Sequence, residues 1–226
     1  RDPAAGTFGY ERMVFDVGWG IVNAGVATLT TRIDSPHTSM LSAEASLLSN
    51  HVIGAFFKVR DYYRVLMDRR GLYPLFFFLF IREGGYSADR WALYDHGRDS
   101  AYLFHEKEPV VSIVPFSQNF ISALYALRAR PVAVGDTMMI PMLVDHKQYH
   151  VVFRCPKRET IKVKGKKYTC FKIVPVLQGE GRVFTKKDNI FFWLTDDERR
   201  LPVRAKSKVF FGFLNAELMD TRFEQP

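Results

Sequence analysis

The residues able to do chemistry sit in the wrong places for it. His146 and His150 are four apart, next to Asp145, a set that binds metal when its members converge. They flank a predicted turn with no further ligand in view, so a solvated hairpin end is expected and no metal. Asp196-Asp197-Glu198 places three carboxylates in a row. General acid–base work needs two carboxylates facing each other across a cleft, and neighbours in one turn do not meet that condition. His96 and His105 lack a nucleophile, because Cys155 and Cys170 fall in strand-like runs, where buried thiols are inert. The chain contains no Gly-x-Ser-x-Gly elbow, phosphate-binding loop, dinucleotide glycine motif or His-Glu-x-x-His. No catalytic residue, metal or cofactor is therefore expected.

The elements around these residues read as β structure. Hydrophobic residues make up 47% of the 226 and aromatics 15%, enough for a large core and weighted towards strands. No apolar run reaches the roughly 18 residues of a spanning helix, and Leu72 to Ile81 is both short and interrupted by Pro74. Period-2 alternation marks strands at Tyr10–Val17, Ile21–Ile33, Met40–Leu48, Tyr63–Met67, Leu72–Arg82, Tyr86–Tyr94 and Ser100–His105. Later strands are Thr137–Val144, His150–Cys155, Glu159–Val163, Thr169–Val176, Phe191–Leu194, Val203–Val209 and Phe213–Met219. Turns are expected at Gly18-Trp19-Gly20, Asp34-Ser35-Pro36, Arg69-Arg70-Gly71, Gly84-Gly85, Asp95-His96-Gly97, Lys164-Gly165-Lys166 and Gly179-Glu180-Gly181.

Two interruptions are helical. Val52, Ile53, Phe56 and Phe57 share one face of a short helix. Phe116 to Arg130 carries an apolar stripe of Phe120, Ile121, Leu124 and Leu127, with Ser117 as N-cap, Arg128 and Arg130 at the negative end of the dipole, and Pro131 as the stop. The whole predicts one mainly β domain over residues 1–226, a curved antiparallel sheet or open β-barrel with one or two covering helices.

Two side-chain sets are candidate binding surfaces. Phe56, Phe57, Phe76, Phe77, Phe78, Phe80, Leu124 and Tyr125 offer either core packing or a cavity for an apolar ligand. Both faces of the strand around Phe78 are apolar, so a cover over the second face is expected, the helix 116–130 being the candidate. Charge supplies the other set. Residues 154–208 hold 16 Lys and Arg against 6 Asp and Glu, a net of +10 within a chain of net +8, so the remainder is slightly acidic. Arg204, Lys206 and Lys208 share one strand face, and Lys162, Lys164, Lys166 and Lys167 crowd a hairpin. They form either a solvated face or a basic plate for an acidic glycan or lipid headgroup. No nucleic-acid motif accompanies them. The two cysteines are compatible with one disulfide, although pairing about Lys164-Gly165-Lys166 sets Cys170 opposite a residue near 160 rather than Cys155.

Four segments carry a family likeness. They are Val17 to Gly25, Ser122 to Arg128 with Gly135-Asp136, the pair Glu159-Thr160-Ile161 and Phe171 to Pro175, and Trp193-Leu194 through Leu201-Pro202-Val203-Arg204 to Ala216-Glu217-Leu218. On these the chain resembles the exported bacterial family known as domain of unknown function 3108. The tryptophan strand, acidic turn and Leu-Pro-Val-Arg strand are also similar to periplasmic lipoprotein-carrier proteins, which are open β-barrels lined by apolar residues and closed by helices. The resemblance implies export to the bacterial envelope, and the start at Arg1-Asp2-Pro3 without Met fits a processed chain. The expectation is a non-catalytic envelope protein holding an apolar or amphipathic ligand in its curved sheet. The alternative is an interaction protein that uses the basic face on acidic glycan, a membrane surface or another envelope protein.

Overall fold

A computed structural model describes residues 8–33, 39–104, 109–144, 146–178, 190–208 and 213–224. The first half is a meander: β1 (Tyr10–Trp19), β2 (Val22–Ile33), β3 (Met40–Ser49), the single-turn helix α1 (His51–Gly54), β4 (Arg60–Asp68), β5 (Pro74–Glu83), β6 (Tyr86–Asp95), β7 (Ser100–Phe104) and β8 (Val110–Ser112). Helix α2 (Phe120–Arg128) follows, and a second meander completes the chain: β9 (Thr137–Val144), β10 (Lys147–Val163), β11 (Lys166–Gln178), β12 (Ile190–Thr195), β13 (Pro202–Lys208) and β14 (Phe213–Glu224). All fourteen strands form one antiparallel sheet, with β14 returning to pair with β1. The two meanders thus join through the chain's first and last strands.

The sheet curls without closing: β8 and β9 are its edges and do not pair with each other. Residues between β8 and α2 bridge the seam instead. Gln118 donates its N–H to Pro141 O and accepts from Leu143 N–H, both at 2.8 Å, and Ser117 Oγ donates to Gln148 Oε1 at 2.8 Å. This gives the exposed β9 edge a partner and blunts it against aggregation. Bulges at Val14/Phe15, Val17/Gly18, Leu66/Met67, Arg154/Lys157 and Trp193/Leu194 supply the local bends that a curled sheet needs.

Helix α2 lies inside the curl. Asn119, not Ser117, caps it, accepting from Ile121 and Ser122 N–H at 3.0 and 2.9 Å while Ser122 Oγ accepts from Asn119 N–H at 3.0 Å. The helix starts four residues later than the sequence pattern suggests, because Phe116 sits at φ 60°, outside helical space, and Ser117 is bound to the β9–β10 side. One flank of α2 packs on the first meander: the Phe120 ring meets Tyr63 and Phe77 edge-on at 5.2 and 5.5 Å, and Tyr125 Oη lies 3.1 Å from Thr31 Oγ1. The other flank, with Ala123 and Leu127, joins Ile140, Met142, Val151 and Phe153 of the second. One helix therefore spans the floor between both halves.

The far end of the β10–β11 hairpin folds over the outside of the sheet. Trp193 Nε1 donates to Glu159 Oε1 at 2.9 Å, an Arg204 guanidinium nitrogen donates to Lys162 O at 2.6 Å, and Lys164 pairs with Asp16 of β1. Val163 is consequently buried although it sits one residue from a hairpin tip. Two segments read as separate strands, His150–Cys155 and Glu159–Val163, are one strand, β10. Cys155 and Pro156 fall in its bulge, where a proline's missing N–H costs no ladder bond. Strand β8 was not signalled by any alternation, being three residues long. The turns expected at Asp34-Ser35-Pro36 and Gly179-Glu180-Gly181 lie outside the described residues, as do His105, Asp145 and Val209.

Candidate functional site

Inside the curl, above α2, is a cavity of about 690 Å³. Strand alternation builds its wall. On β1, Phe15 and Val17 face inward, and register then places Ala27 opposite Phe15, Ala45 opposite Leu29, and Tyr63 opposite Ala45. Val151, Phe153 and Phe192 supply the second half of the wall, with Phe153 and Phe192 in edge contact at 6.3 Å. Leu124 and Phe120 of α2 form the floor. The lining reaches Val17, Leu47, Val144, Ile190 and Leu214, all at the strand ends where β1 turns into β2. The cavity opens at that end and α2 closes the other.

The lining is mostly apolar, with Tyr63, Arg204, Lys206 and Asn215 among the polar residues at its wall. Burial, reinforced by the charges of Asp61 and Glu83, pushes the Tyr63 hydroxyl up to about 12, so it stays protonated at physiological pH. Ala205 and Ser207 face the space, but Arg204, just before them, points outward to Glu217 Oε1 at 2.9 Å. Such a space can hold an aliphatic chain by burial.

Of the residues expected to line a cavity, the structure brings only Leu124 to it. Tyr125 is fully buried beneath α2, against Thr31 and the Phe8 ring. Phe78 lies on the outer face of β5 beside Tyr62 and Trp91, with ring centroids at 6.3 Å in both cases. Phe76 and Phe80 share that outer face by alternation, and α2 covers the opposite one, carrying Phe77 and Leu79. Phe56 and Phe57 follow α1 at the open end and are exposed, Phe57 resting against Gly84 of the β5–β6 turn. The sheet curls the other way from the one that would bring these rings inward. The true lining is drawn from ten strands and α2, and only the Phe120-Leu124-Leu127 stripe signalled it in the sequence.

The basic set is partly gathered. The folded-over hairpin puts Lys162 and Lys164 beside Arg204. However, Glu217 neutralises Arg204, Asp16 takes Lys164, and Lys172 lies over the Phe191 ring at 4.2 Å. Lys206 is half-buried and Lys208 exposed. Two members of the set, Arg204 and Lys164, are thus ion-paired.

The remaining chemical candidates are structural. His96 is stacked between Tyr94 and Phe116, with Nε2 at 2.7 Å from Pro74 O and Nδ1 accepting from Phe116 N–H. Asp197 fastens its own turn through Thr195 Oγ1 and the N–H groups of Arg199 and Arg200, while Asp196 pairs with Arg158 at 2.6 Å. Cys155 and Cys170 are free and buried, and Cys170 pairs in register with Glu159. Burial raises both thiols, Cys170 to about 12, which removes the nucleophilic thiolate. Among the described residues, no three His, Cys, Asp or Glu side chains converge as metal ligands.

A family described as Protein of unknown function (DUF3108) matches residues 14–219. The chain belongs to this family. The matched span runs from β1 through β14 and so takes in the cavity and its floor. Among solved structures, the chain is similar to a β-barrel-like protein of domain of unknown function DUF1849 from Brucella abortus, with a TM-score of 0.66 at 11% identity over 96% of this chain and 98% of that one. A DUF1089 protein from Pseudomonas aeruginosa aligns at TM-score 0.44 and 10% identity, over 82% and 90% of the two chains. No curated protein sequence matches the chain. The DUF3108 fold seen here is therefore the β-barrel-like architecture of the Brucella protein, at an identity that speaks to fold alone.

Proposed function

We propose that this DUF3108 protein is a non-catalytic, exported envelope protein of a bacterium that binds an apolar or amphipathic molecule, such as an acyl chain, in its barrel. The observation that carries this reading is the cavity: about 690 Å³, apolar, floored by α2 and open at one end. That volume falls within the range of about 300–1,000 Å³ typical of small-molecule sites. A packed protein interior leaves few voids larger than a water molecule, which supports reading an apolar space of this size as a site. The compartment is part of the proposal and rests on the family resemblance.

Titration with the fluorescent fatty acid cis-parinaric acid tests the reading. The wild type is expected to bind with saturable enhancement of emission. Leu124→Arg puts a charge on the floor and should abolish it, since an unpaired cation in an apolar space costs several kcal/mol. Ala205→Phe should weaken binding by filling the space from β13 without any charge. Phe56→Arg, outside the cavity, should leave it unchanged. Far-UV circular dichroism checks that each variant is folded. Full binding by a folded Leu124→Arg and Ala205→Phe overturns the proposal.

A further inference from the structure

At the cavity's open end, apolar side chains point away from the protein. Ile21 at the β1–β2 turn is fully exposed, with Trp19 and Val22 beside it about half exposed. In the adjoining segment after β3, Phe56 is 90% and Val52 65% exposed, and Phe57 is exposed to a lesser degree. The two segments are held as one rim. Asn50, the cap of α1, donates through Nδ2 to Asn23 O and Oδ1 at 2.7 and 2.8 Å, and its N–H bonds Ala24 O at 2.9 Å. Gly20 N–H donates to Phe213 O at 3.0 Å, fastening the turn to β14.

Cations are exposed at the same end: Lys58, Arg60, Lys147 and Lys208. Among the described acids nearby, Asp61 is buried, Glu83 is half-buried against it, and Asp89, though exposed, is paired with Arg82. Projecting apolar groups, a half-exposed tryptophan and flanking cations are what an anionic bilayer interface selects. Ile21, fully exposed, and Phe56, 90% exposed, leave large apolar side chains free to enter between acyl chains.

We propose that this rim docks on the surface of an anionic lipid bilayer, seating the cavity mouth against the acyl region so that its ligand passes between membrane and barrel without crossing water. The docking deepens the ligand-binding reading and rests on it for its purpose, but the two fail separately.

Co-sedimentation with vesicles of phosphatidylcholine and phosphatidylglycerol in equal parts tests it. The wild type is expected to sediment with these vesicles and poorly with phosphatidylcholine alone. Ile21→Asp/Phe56→Asp should reduce vesicle binding about tenfold or more, as two large side chains are kept from the apolar phase. The same variant should bind cis-parinaric acid in solution as the wild type does, which also shows that it folds. Lys58→Glu should weaken binding to the mixed vesicles and not to the neutral ones. Vesicle binding that survives Ile21→Asp/Phe56→Asp overturns the proposal. So does a wild type that ignores both vesicles; a dimer dissolved by the same double variant would then assign the rim to a second copy of the chain. A wild type that sediments but takes up no cis-parinaric acid sinks the cavity reading and leaves the docking standing.

Discussion

Arg128 is the residue on which the floor of the barrel turns. Its guanidinium makes two 2.7 Å bonds to Glu11 of β1 and donates to the carbonyls of Arg199 and Arg200 at 3.1–3.3 Å. It also lies 5.1 Å from the Phe8 ring centroid and 5.2 Å from that of Tyr125. Burial acts to lower its pKa, but the hydrogen bonds and charge of Glu11 outweigh that and raise it. With both side chains buried, Arg128→Met strands a carboxylate and should cost about 3–5 kcal/mol in urea unfolding. Glu11→Leu/Arg128→Met should recover most of that loss; a single-variant cost below about 1 kcal/mol, the value of a surface pair, would refute the assignment. The sequence read Arg128 only as a helix-dipole cation, since nothing local announces a partner 117 positions away. A second residue-scale consequence concerns Glu83. Burial, then the charge and hydrogen bond of Asp61, raise its carboxyl above the ordinary 4.5. The folded state thus keeps a proton that the unfolded chain gives up. That contribution is fully present below about pH 4.5 and is lost as pH rises through the elevated folded value. Glu83→Gln should flatten that part of the stability–pH curve, measured by urea midpoints from pH 4 to 8. An unchanged slope would show that Glu83 does not hold the proton.

At the scale of elements, α2 depends on a cap that only the fold reveals. Asn119 holds two free N–H groups of the first turn, those of Ile121 and Ser122, and donates its own N–H to Ser122 Oγ. Asn119→Ala should lower stability by about 1 kcal/mol, seen as a reduced urea midpoint, whereas Asn119→Asp should keep most of it. Equal loss in both variants would mean that the Asn119 amide nitrogen matters more than the cap. The apolar stripe of α2 was legible because a 3.6 period is written locally. Its start was not, because Ser117 is as good a cap by type as Asn119 and was drawn off by Gln148 from β10. The hairpins were legible wherever glycine marks a tight turn: Lys164-Gly165 takes positive φ at both residues, as a two-residue turn requires. That turn also settled the cysteines, since its register sets Cys170 beside Glu159 and away from Cys155. Pro156 misled for the opposite reason. Proline breaks a regular strand but not a bulge, and a bulge is visible only when the partner strand is in place.

At the scale of the molecule, alternation divides each strand into two faces but does not say which becomes the inside. Strand β5 makes the point, for its two faces are equally apolar. Phe77 and Leu79 took the concave side against α2, while Phe76, Phe78 and Phe80 went outside and pack sideways across the sheet, next to Tyr62 and Trp91. Choosing the wrong side there carried Phe78 into an expected cavity from which it is excluded, and left Tyr63, Phe15 and Val151 unmarked. The basic set was only partly legible for a related reason: Glu217 and Asp16, distant in sequence from their partners, arrived opposite Arg204 and Lys164. The sequence by itself determined an antiparallel β chain, the register of the Lys164-Gly165 hairpin, its inner helix and its family, because periods, turn residues and short-range pairing are properties of neighbouring residues. The tertiary structure alone decided the concave face, the cavity, the Arg128–Glu11 clamp and the exposed rim. Those depend on the direction in which fourteen twisted strands curl and on where β14 meets β1, and no local period encodes either.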